Sequence, residues 1–167
     1  RDRFRDMMIH DFDLCRFYLE KDEISEVQAF SSSFEPMYKK INDHELAVVT
    51  MKSKKGVLCV ITNSRHCSFG YDQRIELFGK KGMLLSGNKK IDSTELFNSN
   101  ASNSQKPLLN FFIERYNDSY RNELIDFVAT LQNKKAPSVS AKDGLASLAI
   151  AIAAKRSLKE NIPVNLS

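Results

Sequence analysis

Short apolar segments separated by lysine–glycine turns dominate the middle of the chain, and they restrict the folds that are open to it. Residues 46–51 and 57–62 are rich in Val, Leu and Ile and flank the polar turn KSKKG at 52–56, which is typical of a β-hairpin. A second pair of segments, 71–78 and 83–85, flanks GKKG at 79–82. Consecutive strands that are joined by tight turns pair antiparallel, so this block predicts an antiparallel sheet.

Further strand patterns lie on both sides of this block. We predict strands at residues 25–34, 91–97, 107–116 and 163–166. The segment between the last hairpin and the helical C-terminal part, 98–105, is rich in Asn and Ser and has no apolar period, so we predict a loop there.

Three segments have helical periodicity, at residues 5–20, 117–133 and 141–160. Ser140 and Asp143 have the spacing of a capping box at the start of the third helix. Strands that run together and do not alternate with helices favour the α+β class. We therefore predict one domain over 1–167, an open, mainly antiparallel (mixed) sheet of about six strands with helices packed on one face. Its uncovered face predicts a homo-oligomer.

Composition excludes several classes of protein. With 42% hydrophobic and 28% charged residues the 167-residue chain is neither disordered nor a disulfide scaffold. Its three cysteines form no Cys-x-x-Cys, so neither a disulfide framework nor a zinc knuckle is indicated, and a reducing, cytoplasmic setting is expected. The apolar run 145–154 is too short to cross a bilayer. The net charge of +4 comes largely from lysine pairs at turns, so we expect neither a nucleic-acid nor a membrane partner.

One carboxylate–imidazole pair near the N-terminus has the spacing of a catalytic pair. Asp6 and His10 are four residues apart on the first predicted helix and would share a face. A His beside a carboxylate is a common proton acceptor near neutral pH, although a solvent-exposed surface pair has the same spacing. Asp11 is expected to face solvent, and the spacing of His10, Asp11 and Asp13 does not converge on a metal ion. His44 and His66 are expected at the surface.

Three stretches together resemble one protein family. Residues 4–13 (FRDMMIHDFD) resemble the active-site helix of inositol 2-dehydrogenases, members of the glucose–fructose oxidoreductase / inositol dehydrogenase / MocA family. Residues 63–65 (NSR) and 70–83 (GYDQRIELFGKKGM) resemble the central hairpin of that family, and residues 137–164 resemble its closing helix and tail. The order and intervals of the three stretches fit the family, so the resemblance covers essentially the whole chain.

The resemblance implies the C-terminal, substrate-binding and oligomerisation domain of a two-domain dehydrogenase that acts on a cyclic polyol or sugar. It implies that His10 is the general base, that Asp6 orients it, and that Asp13, Tyr71 and Tyr120 bind substrate hydroxyls. NAD or NADP would bind an N-terminal Rossmann domain that is missing here, because no Gly-x-Gly-x-x-Gly occurs in the chain. The chain alone is therefore expected to bind the cofactor weakly and to be inactive.

Some positions depart from the family pattern or allow a second interpretation. Arg1-Asp2 replaces the usual pair of small residues and Met8 replaces a common Thr, which leaves the substrate open. Tyr71 also fits an ordinary strand position, and Tyr120 fits the apolar stripe of its helix. The alternative function is a stand-alone, non-catalytic module that self-associates through its sheet.

Overall fold

The computed structural model describes residues 2–41 and 43–166, and the chain divides into two compact units. Unit 1 consists of residues 1–66 and 138–167, and unit 2 of residues 67–137. A single domain was predicted from the sequence. Each unit is described by itself below.

Unit 1 contains the following helices and strands, numbered in chain order: α1 (Arg3–Asp6), α2 (Met8–Leu19), β1 (Ile24–Ser32), α3 (Pro36–Lys40), β2 (Leu46–Ser53), β3 (Leu58–Ser64), α5 (Ala141–Glu160) and β8 (Val164–Asn165). Its four strands form one antiparallel sheet in the order β3-β2-β1-β8. The sheet thus combines strands from both ends of the chain.

The core of unit 1 lies between one face of this sheet and the helices α1, α2 and α5. Val27, Val49 and Ile61 stand on neighbouring strands and point to the same buried face. Phe4 and Phe12 pack against them from α1 and α2, and α5 presents small buried side chains, which allow a helix to approach a sheet closely. The alternating burial along β2 follows from the two-residue period of a strand.

The opposite face of the sheet remains exposed and partly apolar. Phe30 of β1 is 49% exposed, and Leu58 and Val60 of β3 are 75% and 67% exposed. A polar solvated face would carry few such side chains, so this face has the character of an interaction surface.

Unit 2 contains two hairpins followed by a long helix: β4 (Ile75–Gly79) with β5 (Gly82–Ser86), β6 (Glu95–Asn98) with β7 (Ala101–Gln105), and α4 (Phe112–Asn133). The backbone of α4 leaves helical geometry at Tyr116, where φ is −111° and ψ is 15°. The apolar stripe of α4 is exposed, with Leu124 at 66% and Phe127 at 59%.

The predicted α+β class is confirmed. Among the described residues every strand pair is antiparallel, and the strands are shared between one four-stranded sheet and two hairpins. The loop predicted at 98–105 was wrong, because it holds β7, and the strand predicted at 107–116 was wrong, because α4 begins at Phe112. None of the described helices combines the length and the apolar character that a bilayer span requires.

Candidate functional site

The segment that carries Asp6 and His10 is two helices, not one. Asp2 caps α1, and its Oδ1 accepts a hydrogen bond from the Phe4 amide at 3.1 Å. The backbone turns at Met7, with φ −110° and ψ −59°, before α2 starts. The prediction of one continuous helix over 5–20 was therefore wrong at Met7, and the four-residue spacing does not by itself place Asp6 and His10 on one face.

Both members of the predicted catalytic pair are exposed, and they lie at the junction of α1 and α2. Within residues 2–41 and 43–166 no hydrogen bond or ion pair joins Asp6 to His10. The role of His10 as a base, and that of Asp6 as its orienting group, remain predictions.

A buried arginine fixes the position of this junction. The Arg3 side chain is fully buried, and its guanidinium donates to the backbone oxygens of His44 and Asn63, both at 2.7 Å, and to that of Glu45. Burial and the nearby charge of Arg65 together lower the pKa of Arg3 to about 10, against the attraction of Asp43. Arg3 thereby anchors α1 to the segments that bound β2 and β3.

Asp11, the residue after His10, carries a half-buried carboxyl that was not predicted from the sequence. Asp11 was expected to face solvent, and this was wrong: it is half-buried, and burial raises its pKa to about 6 against the opposing charge of His10. Its burial could have been predicted from its position three residues after Met8 and four before Cys15, because both of these residues face the core.

Asp13, the predicted substrate ligand on α2, links that helix to α5. Its Oδ1 accepts hydrogen bonds from Ser147 Oγ at 2.7 Å and from Arg16 Nη1 at 3.0 Å. Arg16 also donates to Asp143, whose pKa is lowered to about 2 by its hydrogen bonds from Ser140 and from Arg16. Asp13 therefore has a structural function irrespective of any substrate.

Tyr71 and Tyr120 both belong to unit 2. Tyr71 precedes β4, its amide donates to Leu109 O at 2.8 Å, and its ring meets Tyr116 edge-on at 5.8 Å. Tyr120 lies on α4 and is 45% exposed. The strand predicted to begin at Tyr71 begins instead at Ile75.

The motif that surrounds Tyr71 has a packing function within unit 2. Gly70 has φ +117°, and a Cβ at this position would lie 2.7 Å from Leu108 Cβ. Asp72 accepts hydrogen bonds from Arg74 Nε at 2.8 Å and from Asn88 Nδ2 at 2.6 Å. The hydrogen bonds from Arg74 and Asn88 lower the pKa of Asp72, although burial alone would raise it.

The other two histidines have local partners. His44 was expected at the surface, but it is half-buried, and its Nδ1 lies 2.9 Å from Ser31 Oγ. His66 is exposed and belongs to the one group among the described residues whose donor atoms converge as metal ligands do, with Glu35 and Glu45. These atoms have other contacts: Tyr38 Oη lies 2.9 Å from His66 Nε2, and Glu45 Oε2 accepts the amides of Phe34 and Glu35. We therefore interpret this group as an ion-pair and capping network.

Comparison with known proteins identifies the family. Residues 3–85 match the profile of the GFO/IDH/MocA C-terminal domain. The chain belongs to the GFO/IDH/MocA C-terminal domain family. It is 41% identical to a myo-inositol 2-dehydrogenase of Thermotoga maritima over 98% of its own length and 48% of that protein.

Solved structures of the family have the same fold. A myo-inositol dehydrogenase from Corynebacterium glutamicum superposes with a TM-score of 0.95 and 38% identity, over 99% of this chain and 50% of that one. A scyllo-inositol dehydrogenase from Lactobacillus casei, solved with bound NAD(H) and scyllo-inositol, superposes with a TM-score of 0.89 and 25% identity, over 98% and 48%. This chain thus spans about half the length of the relatives that it matches.

Proposed function

We propose that this chain is the substrate-binding and oligomerisation half of an NAD(H)-dependent dehydrogenase that oxidises a secondary alcohol of a cyclic polyol of the inositol type. The observation that carries the proposal is the 41% identity to a myo-inositol 2-dehydrogenase across nearly the whole chain. The Lactobacillus casei neighbour, named for bound NAD(H) and scyllo-inositol, supports both the cofactor and the substrate class.

In this proposal the chain handles the proton of the reaction. His10, exposed in the first turn of α2, accepts the hydroxyl proton of the substrate. Asp6 stabilises the resulting imidazolium through its charge. Asp11, next to His10, offers a second group that changes protonation near neutral pH.

Three further side chains are proposed to bind substrate hydroxyls. The described hydrogen bonds of Asp13 both use Oδ1, which leaves Oδ2 for a polyol hydroxyl. Tyr71 and Tyr120 are proposed to offer phenol hydroxyls, each of which can both donate and accept a hydrogen bond.

The sequence of this chain does not contain the glycine motif of a dinucleotide site. The six glycines, at 56, 70, 79, 82, 87 and 144, never take the Gly-x-Gly-x-x-Gly spacing. We assign the cofactor to a separate nucleotide-binding domain.

The experiment has two parts, each followed by NADH absorbance. The chain alone, with myo-inositol and NAD, is expected to show no reduction above background, and turnover by the chain alone would contradict this. The chain joined to the nucleotide-binding half of the Thermotoga maritima relative is expected to reduce NAD in the presence of myo-inositol. In that chimera His10→Ala should lower kcat by at least about 100-fold, the usual effect of removing a general base. His66→Ala, an exposed histidine outside the proposed site, is the matched control.

A stand-alone module that self-associates is the second candidate function. The exposed apolar sheet face with Phe30, Leu58 and Val60 favours self-association and is compatible with both functions. Catalysis separates them: an active chimera that loses its activity with His10→Ala supports the dehydrogenase, whereas a chimera that assembles without activity supports the module.

A further inference from the structure

Cys15 belongs to the side of α2 that faces the core of unit 1. Met8, Phe12, Cys15 and Leu19 follow one another at helical intervals of four, three and four residues. Met8 and Phe12 are fully buried, and Cys15 and Leu19 pack against the core. Residues with this spacing share one face of a helix, so the Cys15 thiol is directed at the sheet.

Cys59 lies on the face of β3 that the helices cover. Its neighbour two residues on, Ile61, and its cross-strand partner, Met51, are both buried in the core. Leu58 and Val60 point to the open face instead, as the alternation of a strand requires. The Cys59 side chain therefore points from the sheet into the core of unit 1, towards α2.

The two thiols face the same core layer between α2 and β3 and are close enough for each to shift the pKa of the other. Both cysteines are free and half-buried, whereas Cys67 is exposed and belongs to unit 2. The neighbouring Cys15 thiol lowers the pKa of Cys59, against the effects of burial and of Asp22, whereas Cys59 and burial raise the pKa of Cys15. Cys59 is thus the better nucleophile of the pair.

We propose that Cys15 and Cys59 form an oxidation site, a dithiol that a peroxide converts into an intramolecular disulfide between α2 and β3. Neither family membership nor the proposed dehydrogenase function assigns these residues a role, and the inference does not depend on that function. The sequence alone gave no indication of the pair, since the two cysteines are far apart and form no motif.

The reaction consumes one peroxide for each pair. The Cys59 thiolate attacks one oxygen of hydrogen peroxide, the O–O bond breaks, and the products are a Cys59 sulfenic acid and hydroxide, which the thiol proton converts to water. Cys15 sulfur then attacks the Cys59 sulfur, its own proton is released, and the sulfenic oxygen leaves as a second water. Two thiols are oxidised by two electrons in total, and peroxide is reduced to two waters.

Oxidation would join the helix that bears His10 to the sheet. The cross-link connects two segments that are distant in sequence, so it restricts the unfolded chain. Partial exposure gives a small neutral oxidant access to the site, while a bulky protein thiol has much less access.

The experiment treats the full chain with hydrogen peroxide, blocks the remaining thiols by alkylation and measures intact mass. Before alkylation, the oxidised chain is expected to be lighter than the reduced chain by about 2 Da, the loss of two hydrogens. After alkylation, one thiol of the three should carry the label. Peptide mapping should find Cys15 linked to Cys59, and dithiothreitol should reverse the change. Phenylarsine oxide, which bridges two neighbouring thiols, should protect both from alkylation.

Single-cysteine variants test the assignment. Cys67→Ser should oxidise as the parent chain does, whereas Cys15→Ser and Cys59→Ser should form no intramolecular disulfide. In Cys15→Ser, dimedone should trap a sulfenic acid at Cys59, and no such adduct should form at Cys15 in Cys59→Ser. The proposal is overturned if peroxide leaves Cys15 and Cys59 alkylatable in the parent chain and in Cys67→Ser, or if the disulfide that forms involves Cys67.

Discussion

Arg65 and Asp43 form an ion pair in which Nη2 lies 2.5 Å from Oδ2, and the Asp43 side chain is only 2% exposed. The Asp43 Oδ1 atom also accepts the backbone amides of Arg3 and His44. Burial by itself would raise the pKa of Asp43, but the His44 amide and Arg65 hold it below its ordinary value. This carboxylate thus stabilises the junction that carries α1.

We predict that Asp43→Asn lowers the free energy of unfolding by about 3 kcal/mol at neutral pH, since it leaves Arg65 without its charge partner in a largely buried site. Because the folded pKa of Asp43 is depressed, its contribution is present at neutral pH and is lost as pH falls through the folded pKa. The difference between Asp43→Asn and the parent chain in urea unfolding should therefore shrink in acid. Glu23→Gln, which removes an exposed ion pair with Lys54, should cost much less stability than Asp43→Asn.

Asp11 should have the opposite pH dependence. Its folded pKa of about 6 lies above that of the unfolded chain, so ionisation destabilises the fold progressively as pH rises from about 4 to 6. Asp11→Asn is expected to raise the free energy of unfolding by about 1–3 kcal/mol at pH 7, and by much less at about pH 4. NMR titration of the Asp11 carboxyl and urea unfolding at both pH values measure this. Equal stability gains at the two pH values would contradict it, and Glu20→Gln, at the exposed C-terminal end of the same helix, is the control.

Gly70→Ala is predicted to destabilise unit 2. The new Cβ would meet Leu108 Cβ at 2.7 Å on a backbone with φ +117°, a conformation that side chains rarely adopt. Strain of this kind costs about 1–3 kcal/mol, and thermal unfolding should show a lower midpoint. Gly87→Ala is the matched control, because nothing lies within 4 Å of its Cβ position. A Gly70→Ala chain as stable as Gly87→Ala would show that the loop relaxes without cost.

Self-association through the open face should be sensitive to a charge on that face. Val60→Lys places an ammonium on a 67% exposed apolar position of β3, and burying it against a second copy would be costly. Sedimentation should find a dimer or larger assembly for the parent chain and association at least about tenfold weaker for Val60→Lys. Phe78→Lys, at an 85% exposed position of unit 2, should not change the assembly. A monomeric parent chain at micromolar concentration would exclude this interface.

Local signals explain which parts of the fold could be predicted from the sequence. The bounds predicted for α5, 141–160, agree with the structure, because a capping residue and a long Ala- and Leu-rich pattern act within the helix itself. The hairpin of β2 and β3 was equally well marked by its polar turn.

Other elements depend on contacts that no local pattern reveals. The polar strand β7 is formed by backbone pairing with β6, and Asn98 Oδ1 holds the turn between them by accepting the amides of Asn100 and Ala101. The break at Met7 accompanies the burial of Arg3, whose partners are about 40 to 60 residues away along the chain. The same holds for the candidate site: the burial of Asp11 and the partners of Asp13 depend on tertiary packing, and the role of His10 stays a prediction.

The pairing of β8 with β1 has a consequence for synthesis of the protein on the ribosome. Unit 1 needs α5 and β8 to cover and extend a sheet whose other strands are made about a hundred residues earlier. Unit 2 is continuous in sequence, and its hairpins pair within short segments, so it can form while translation continues. Until residue 164 emerges, the nascent sheet of unit 1 has apolar strands and an unpaired β1 edge that can pair with other chains. In this interval the protein is most dependent on chaperones.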